Sequence, residues 1–137
     1  MVYQHTFKIN PVPASRPRVT RWGTYYSKTY LSFKDTMYAM VHVEVPKRLL
    51  EGCLHVETTF YKAVPKSYSK KRKTEIDGQF CISNVDNDNL EKALWDTLNG
   101  HLWGDDKQIV SNYTEKRWSV DNPRIELVVY QYKKTTQ

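Results

Sequence analysis

Six carboxylates (Asp86, Asp88, Glu91, Asp96, Asp105 and Asp106) and only two lysines, Lys92 and Lys107, stand between Val85 and Val110 of a 137-residue chain whose formal charge is +6. That segment carries −4, so the remaining residues carry +10. Concentrating acid in a basic protein costs self-repulsion unless a cation sits among the carboxylates, and hard oxygen donors suit Mg²⁺. Aspartates that hold a metal on a basic protein point to phosphodiester chemistry on nucleic acid.

The spacing supplies a scaffold for these groups. Leu90, Ala93, Leu94, Thr97 and Leu98 recur at three and four residues, the pattern of a helix with one buried face, and Asn99-Gly100 provides a left-handed stop. At about 100° per residue, Asp88, Lys92 and Asp96 form a polar stripe opposite Leu94. Asp86 precedes this helix and Asp88 falls in its first turn, where the helix dipole favours negative charge. Asp105-Asp106 is expected to open a strand through Ile109, Val110 and Tyr113, so that a helix start and a strand start bring carboxylates together. Plainer roles compete: an N-cap for Asp86 or Asp88, a turn for Asp105-Asp106, and an i,i+4 ion pair for Lys92 with Asp88 or Asp96. An EF-hand is excluded, because counting from Asp86 puts Leu90 fifth and Glu91 where glycine is required.

The basic charge is uneven. Met1 to Lys34 holds six Lys or Arg and no acid, with Arg16, Arg18 and Arg21 interleaved with Trp22, Tyr25, Tyr26, Tyr30 and Phe33. Guanidinium groups neutralise phosphates and rings stack on unpaired bases, so this pattern suits nucleic acid. A second cluster, Lys62, Lys66, Lys70, Lys71, Arg72 and Lys73, surrounds Tyr68. Each cluster alone is equally compatible with a solvated charged face; two clusters around an acidic site favour binding.

The elements that must position these groups are few. Tyr3 to Asn10 reads as a strand ended by Pro11 and Pro13, followed by a basic loop of about twenty residues. Ser32 is a candidate N-cap for a helix from Phe33 toward Pro46. Leu54, Val56, Thr58 and Phe60 alternate with His55, Glu57, Thr59 and Tyr61 as a strand with one buried face does. Ser69 to Ile76 forms a short basic helix or stays mobile, Asp77-Gly78 turns the chain, and Arg124 to Tyr132 supplies a last strand. The expectation is a single domain over 1–137 that combines about four strands with helices.

Other chemistries find little support. Cys53 and Cys81 are too few for a disulfide framework or a four-ligand zinc site, and the histidines at 5, 42, 55 and 101 lack ligand spacing. There is no phosphate-cradling glycine loop or nucleophile elbow. Without a secretory n-region or an apolar run of about 18 residues, a cytoplasmic protein with no membrane partner and no organic cofactor is expected.

The order Asp86-x-Asp88-Asn89-Leu90-x-Lys92-Ala93-x-x-Asp96-x-Leu98-Asn99-Gly100, followed by Asp105-Asp106-x-Gln108-Ile109, resembles the signature of the RusA family of Holliday junction resolvases, common in phages and prophages. Ser15-Arg16-Pro17-Arg18-Val19-Thr20 and Tyr25-x-x-Lys28-Thr29 resemble that family's basic amino-terminal loop. Glu115-Lys116-Arg117 and Pro123-Arg124-Ile125-Glu126 resemble its closing strands. Val85 and Asn87 depart from the usual proline and apolar residue without removing a ligand. The resemblance implies that Asp86, Asp88 and Asp106 bind the catalytic Mg²⁺ or Mn²⁺ and that Lys92 assists cleavage. It also implies a small α/β (α+β) fold with a mixed sheet and helices, and a homodimer that cuts four-way DNA junctions by paired nicks; the likeness is weakest over 62–84. The basic clusters themselves make Arg16, Arg18, Arg21, Lys70, Lys71, Arg72 and Lys73 the expected DNA contacts. A noncatalytic protein that binds branched or single-stranded DNA is the alternative, and a metal-dependent phosphatase or nuclease on small or linear substrates is a third reading.

Overall fold

Alternation of apolar and polar residues builds the sheet. In the computed structural model, which describes residues 2–132, β1 (Tyr3–Phe7), β4 (Leu54–Ala63), β5 (Ile109–Ser119) and β6 (Arg124–Gln131) form a sheet in the order β1-β6-β4-β5. β6 runs antiparallel to both β1 and β4, whereas β5 lies parallel to β4 at one edge. The mixed α+β architecture expected from the sequence is the one observed. On β4, Leu54, Val56, Thr58 and Phe60 are buried and the alternate residues stay half-exposed. Ile125, Leu127 and Val129 of β6 share that buried face.

Two helices cover it. In α1 (Lys28–Glu44), Tyr30, Phe33, Met37 and Val41 recur at helical spacing and face the core. α3 (Asn87–Leu98) contributes Leu90, Ala93, Leu94, Trp95, Thr97 and Leu98. Trp103 is fully buried and meets Trp95 edge-on, with ring centroids 5.4 Å apart. Gly100 takes φ +78 just past α3, a left-handed conformation that glycine adopts without steric cost. Ile76 of the short helix α2 (Lys70–Ile76), with Tyr68 from the segment just before it, packs on a satellite cluster of Val64, Cys81 and Trp118.

Three sequence expectations are corrected. α1 begins five residues before the expected start, because Ser27 rather than Ser32 caps it: Ser27 Oγ accepts the Tyr30 N–H at 3.2 Å. This recruits Tyr30 into the buried stripe. The basic loop contains a hairpin, β2 (Arg18–Thr20) and β3 (Gly23–Tyr25), whose residues are all exposed and so carry no apolar alternation. Asp105-Asp106 does not open a strand; Asp106–Gln108 is a 3-10 turn that precedes β5. Gln108 fixes that turn: its Oε1 accepts the N–H groups of Gly104 and Asp105, and its Nε2 donates to the carbonyls of Leu50 and Gly52.

Candidate functional site: the two ends of helix α3

The N-terminus of α3 is an acidic corner held from three sides. Asp86 is the N-cap residue, yet its side chain makes no capping hydrogen bond. Asp86 and Asp88 are both exposed, and neither forms an ion pair among the described residues. Between them, Asn87 Oδ1 is buried without a hydrogen-bond partner. A buried acceptor left so costs about 1–3 kcal/mol, which a cation or a polar ligand group at this corner would offset. Lys92, one turn further on, is exposed and also unpaired among the described residues, so the ion pair with Asp88 or Asp96 is not formed.

Lys116 of β5 sets the approach to this corner. Its Nζ donates to the carbonyls of Ser83, at 3.2 Å, and Val85. The segment leading into Asp86 is thereby tied to the sheet. Glu91 Oε1 accepts from Asn112 Nδ2 at 2.9 Å and Thr114 Oγ1 at 2.5 Å, which locks the helix along β5. These contacts give α3 and β5 opposite directions: Val85 lies beside Lys116, and Glu91 beside Asn112 and Thr114.

Asp106 therefore lies at the far end. Its Oδ2 accepts from Asn99 Nδ2 at 3.1 Å, and Asn99 Oδ1 accepts from Trp103 Nε1 at 2.7 Å. The indole fixes the orientation of the amide, and the amide orients Asp106. Asn99 is the C-cap of a helix of 12 residues, so about 18 Å of helix separates it from Asp86. A short αβ connection starts the strand where the helix ends. The convergence expected from a helix start and a strand start is thus not met within one chain, and among the described residues no three His, Cys, Asp or Glu side chains gather as a metal cluster. Asp105 is exposed beside the half-buried Asp106, a difference set by the 3-10 turn.

Asp96 also belongs to this far half of α3. Tyr30 Oη donates to Asp96 Oδ2 at 3.4 Å, and burial, reinforced by that carboxylate, pushes the Tyr30 phenol up to about 12. The phenol is a durable donor that ties α1 to α3.

Both basic segments converge on the Asp86 end. The loop before the hairpin is pinned to the first turn of α3 by the Ala14 N–H, which donates to the Asn89 carbonyl at 2.9 Å. Arg16, Arg18 and Arg21 follow, all exposed. On the other side, residues 78–81 run along the outer edge of β5: Gly78 and Cys81 donate to the Trp118 and Lys116 carbonyls, and Trp118 donates to Gln79. This anchors α2 at the same end, with Lys70, Lys71 and Arg72 exposed and Lys73 half-buried. The Arg72 guanidinium lies 3.7 Å from the centre of the Tyr68 ring. Sequence reasoning identifies the aspartates and basic clusters but overlooks the positioning roles of Lys116, Asn99 and Glu91, whose partners are 7 to 33 residues away. No local pattern signals such pairs.

The oxygen donors at the acidic corner fit a hard divalent cation, and its flanks fit a polyanion. A protein of Bacillus subtilis (strain 168) called uncharacterized protein YqaN is 28% identical over 127 residues, which span 87% of this chain and 89% of the relative. The model of the family described as endodeoxyribonuclease RusA matches residues 8–130, from the end of β1 to the end of β6. With the match extending over nearly the whole fold, the chain belongs to the RusA endodeoxyribonuclease family.

Proposed function

We propose that this protein is a divalent-metal-dependent endonuclease that resolves four-way DNA junctions by paired nicks. The observation that carries the reading, together with family membership, is the meeting of two basic segments at the α3 corner where Asp86 and Asp88 remain uncommitted. The Arg16, Arg18, Arg21 segment and the Lys70 to Lys73 helix grip phosphates on either side of that corner. Lys92 offers an ammonium to the scissile phosphate. Such a substrate puts the place of action in the cytoplasm.

The homodimer has a physical motive in this reading. Residues at opposite ends of a helix about 18 Å long cannot share one ion whose oxygen ligands lie about 2.1 Å from it. A twofold axis can bring the Asp106 end of one chain to the Asp86 end of the other, since closed dimers juxtapose each surface with its complement twice. Asp86 and Asp88 of one chain, with Asp106 of the partner subunit, would then hold Mg²⁺, or Mn²⁺ in its place. When bound, the ion supplies positive charge where the phosphodiester gains negative charge in the transition state, and it promotes attack by water. The chain's own residues hold the site: Asn99 aims Asp106, Lys116 sets the entry to Asp86, and Lys92 completes the charge balance.

The test is a labelled four-way junction incubated with the purified protein and Mg²⁺. Symmetric paired nicks that disappear on chelation are expected. Tight junction binding with no nick in Mg²⁺ or Mn²⁺ identifies a noncatalytic branched-DNA binder instead.

A further inference from the structure

The β2–β3 hairpin exposes every residue of its two strands, and its two-residue tip is Arg21-Trp22. Trp22 is 76% exposed, whereas Trp95, Trp103 and Trp118 are at most 9% exposed. An indole is the largest apolar side chain, and leaving it in water forgoes the burial that usually stabilises it. The tip nevertheless has a fixed shape. Trp22 N–H donates to Thr20 Oγ1 at 3.2 Å, Tyr25 Oη donates to the Trp22 carbonyl at 3.3 Å, and Gly23 takes φ +136. The Arg21 guanidinium sits 4.7 Å from the indole centre. At the base, the Ser27 N–H donates to Ser15 Oγ at 3.4 Å, and Ala14 fastens the segment before β2 to α3.

We propose that Trp22 stacks on an unpaired DNA base, so that the hairpin selects branch points and single-stranded stretches over plain duplex. The reading rests on the DNA-directed function above and adds what chooses the substrate. Charge complementarity supports this occupant: no acid occurs before Asp35, Arg16 and Arg18 lie on the chain leading to the tip, and the Arg21 guanidinium lies beside the ring. An aromatic face paired with a guanidinium is the combination that binds unpaired nucleotides, with the ring on the base and the cation near its phosphate. Three-residue arms reach about 10 Å from the base, a span of one to three nucleotides.

The test uses the one exposed tryptophan as its own reporter. On adding an oligothymidylate, Trp22 emission should be quenched and its accessibility to acrylamide should fall, and neither change should occur in Trp22→Phe. Trp22→Ala should bind the oligothymidylate and a four-way junction about tenfold more weakly, at the lower end of the stacking contribution per base, while its affinity for linear duplex stays within about twofold. Trp22→Phe should retain most of the affinity, and an unchanged near-ultraviolet circular dichroism spectrum shows that the fold is intact. Unquenched emission, an equal loss on duplex, or quenching by anionic phospholipid vesicles without quenching by DNA each overturns the proposal. Junction nicking by the wild-type protein reports the nuclease reading separately. Nicking with normal substrate preference in Trp22→Ala sinks the stacking role alone, whereas quenching without nicking keeps the stacking role and removes the nuclease.

Discussion

Asp86→Asn and Asp106→Asn are expected to be inactive alone and to restore activity to one another when mixed. The 12 residues of α3 hold the two carboxylates at ends about 18 Å apart, far beyond the few ångströms that separate ligands of one Mg²⁺. Each competent site in the proposed dimer therefore draws Asp86 from one chain and Asp106 from the other. In a mixed dimer, one site carries both substitutions and the other carries neither. Random exchange of subunits gives half mixed dimers, each with one intact site of two, so roughly a quarter of wild-type nicking should return. The nicks should be single rather than paired. Single-turnover cleavage of an end-labelled junction, after exchange in mild urea verified by native mass spectrometry, measures this. A mixture as inactive as its parents, with mixed dimers present, refutes the shared site. Full activity of Asp106→Asn on its own removes Asp106 from the ligand set, and Asp105→Asn, on the exposed neighbour, should cleave normally.

Asp88→Asn should nearly abolish cleavage while junction binding survives or tightens, by an amount that shrinks as salt shortens the Debye length to about 8 Å; mobility shifts at two salt concentrations check this. Neutralising Arg16, Arg18 and Arg21 together should weaken binding to every DNA form and flatten the salt dependence by about 0.9 in log–log slope per lost phosphate contact, as read by a salt titration on duplex. Lys116→Met releases the carbonyls of Ser83 and Val85, so urea unfolding should show a loss of about 1–3 kcal/mol, and cleavage should fall further than junction binding. The raised phenol pKa of Tyr30 implies that its contribution to stability is fully present below about pH 10 and is lost as pH rises toward about 12, because only the unfolded chain ionises in that window. Tyr30→Phe should make unfolding less pH-dependent there, as followed by chemical denaturation at stepped pH.

Local sequence determined the elements whose causes are local. The three- and four-residue recurrence from Leu90 to Leu98 specifies α3 and the alternation from Leu54 to Tyr61 specifies β4, because each pattern matches the period of its own backbone. Ser69 caps α2, but that helix buries no residue, so the sequence leaves it open between a helix and a mobile segment. The carboxylate-rich stretch within a basic chain, and the spacing that resembles a nuclease signature, are likewise properties of the linear sequence. The start of α1 was less legible, since Ser27 and Ser32 are both capable caps and only the burial of Tyr30 against α3 separates them. The exposed β2–β3 hairpin has no apolar period to read. Tertiary structure alone decided where the carboxylates stand. Whether the chain that leaves α3 returns to the Asp86 end or stays at the Asn99 end depends on the direction in which the helix packs on β5. That direction is fixed by Glu91 on Asn112 and Thr114 and by Lys116 on the entry to Asp86, contacts between residues more than twenty positions apart. Linear spacing carries no trace of it, because the same aspartates at the same intervals would converge if the helix ran the other way.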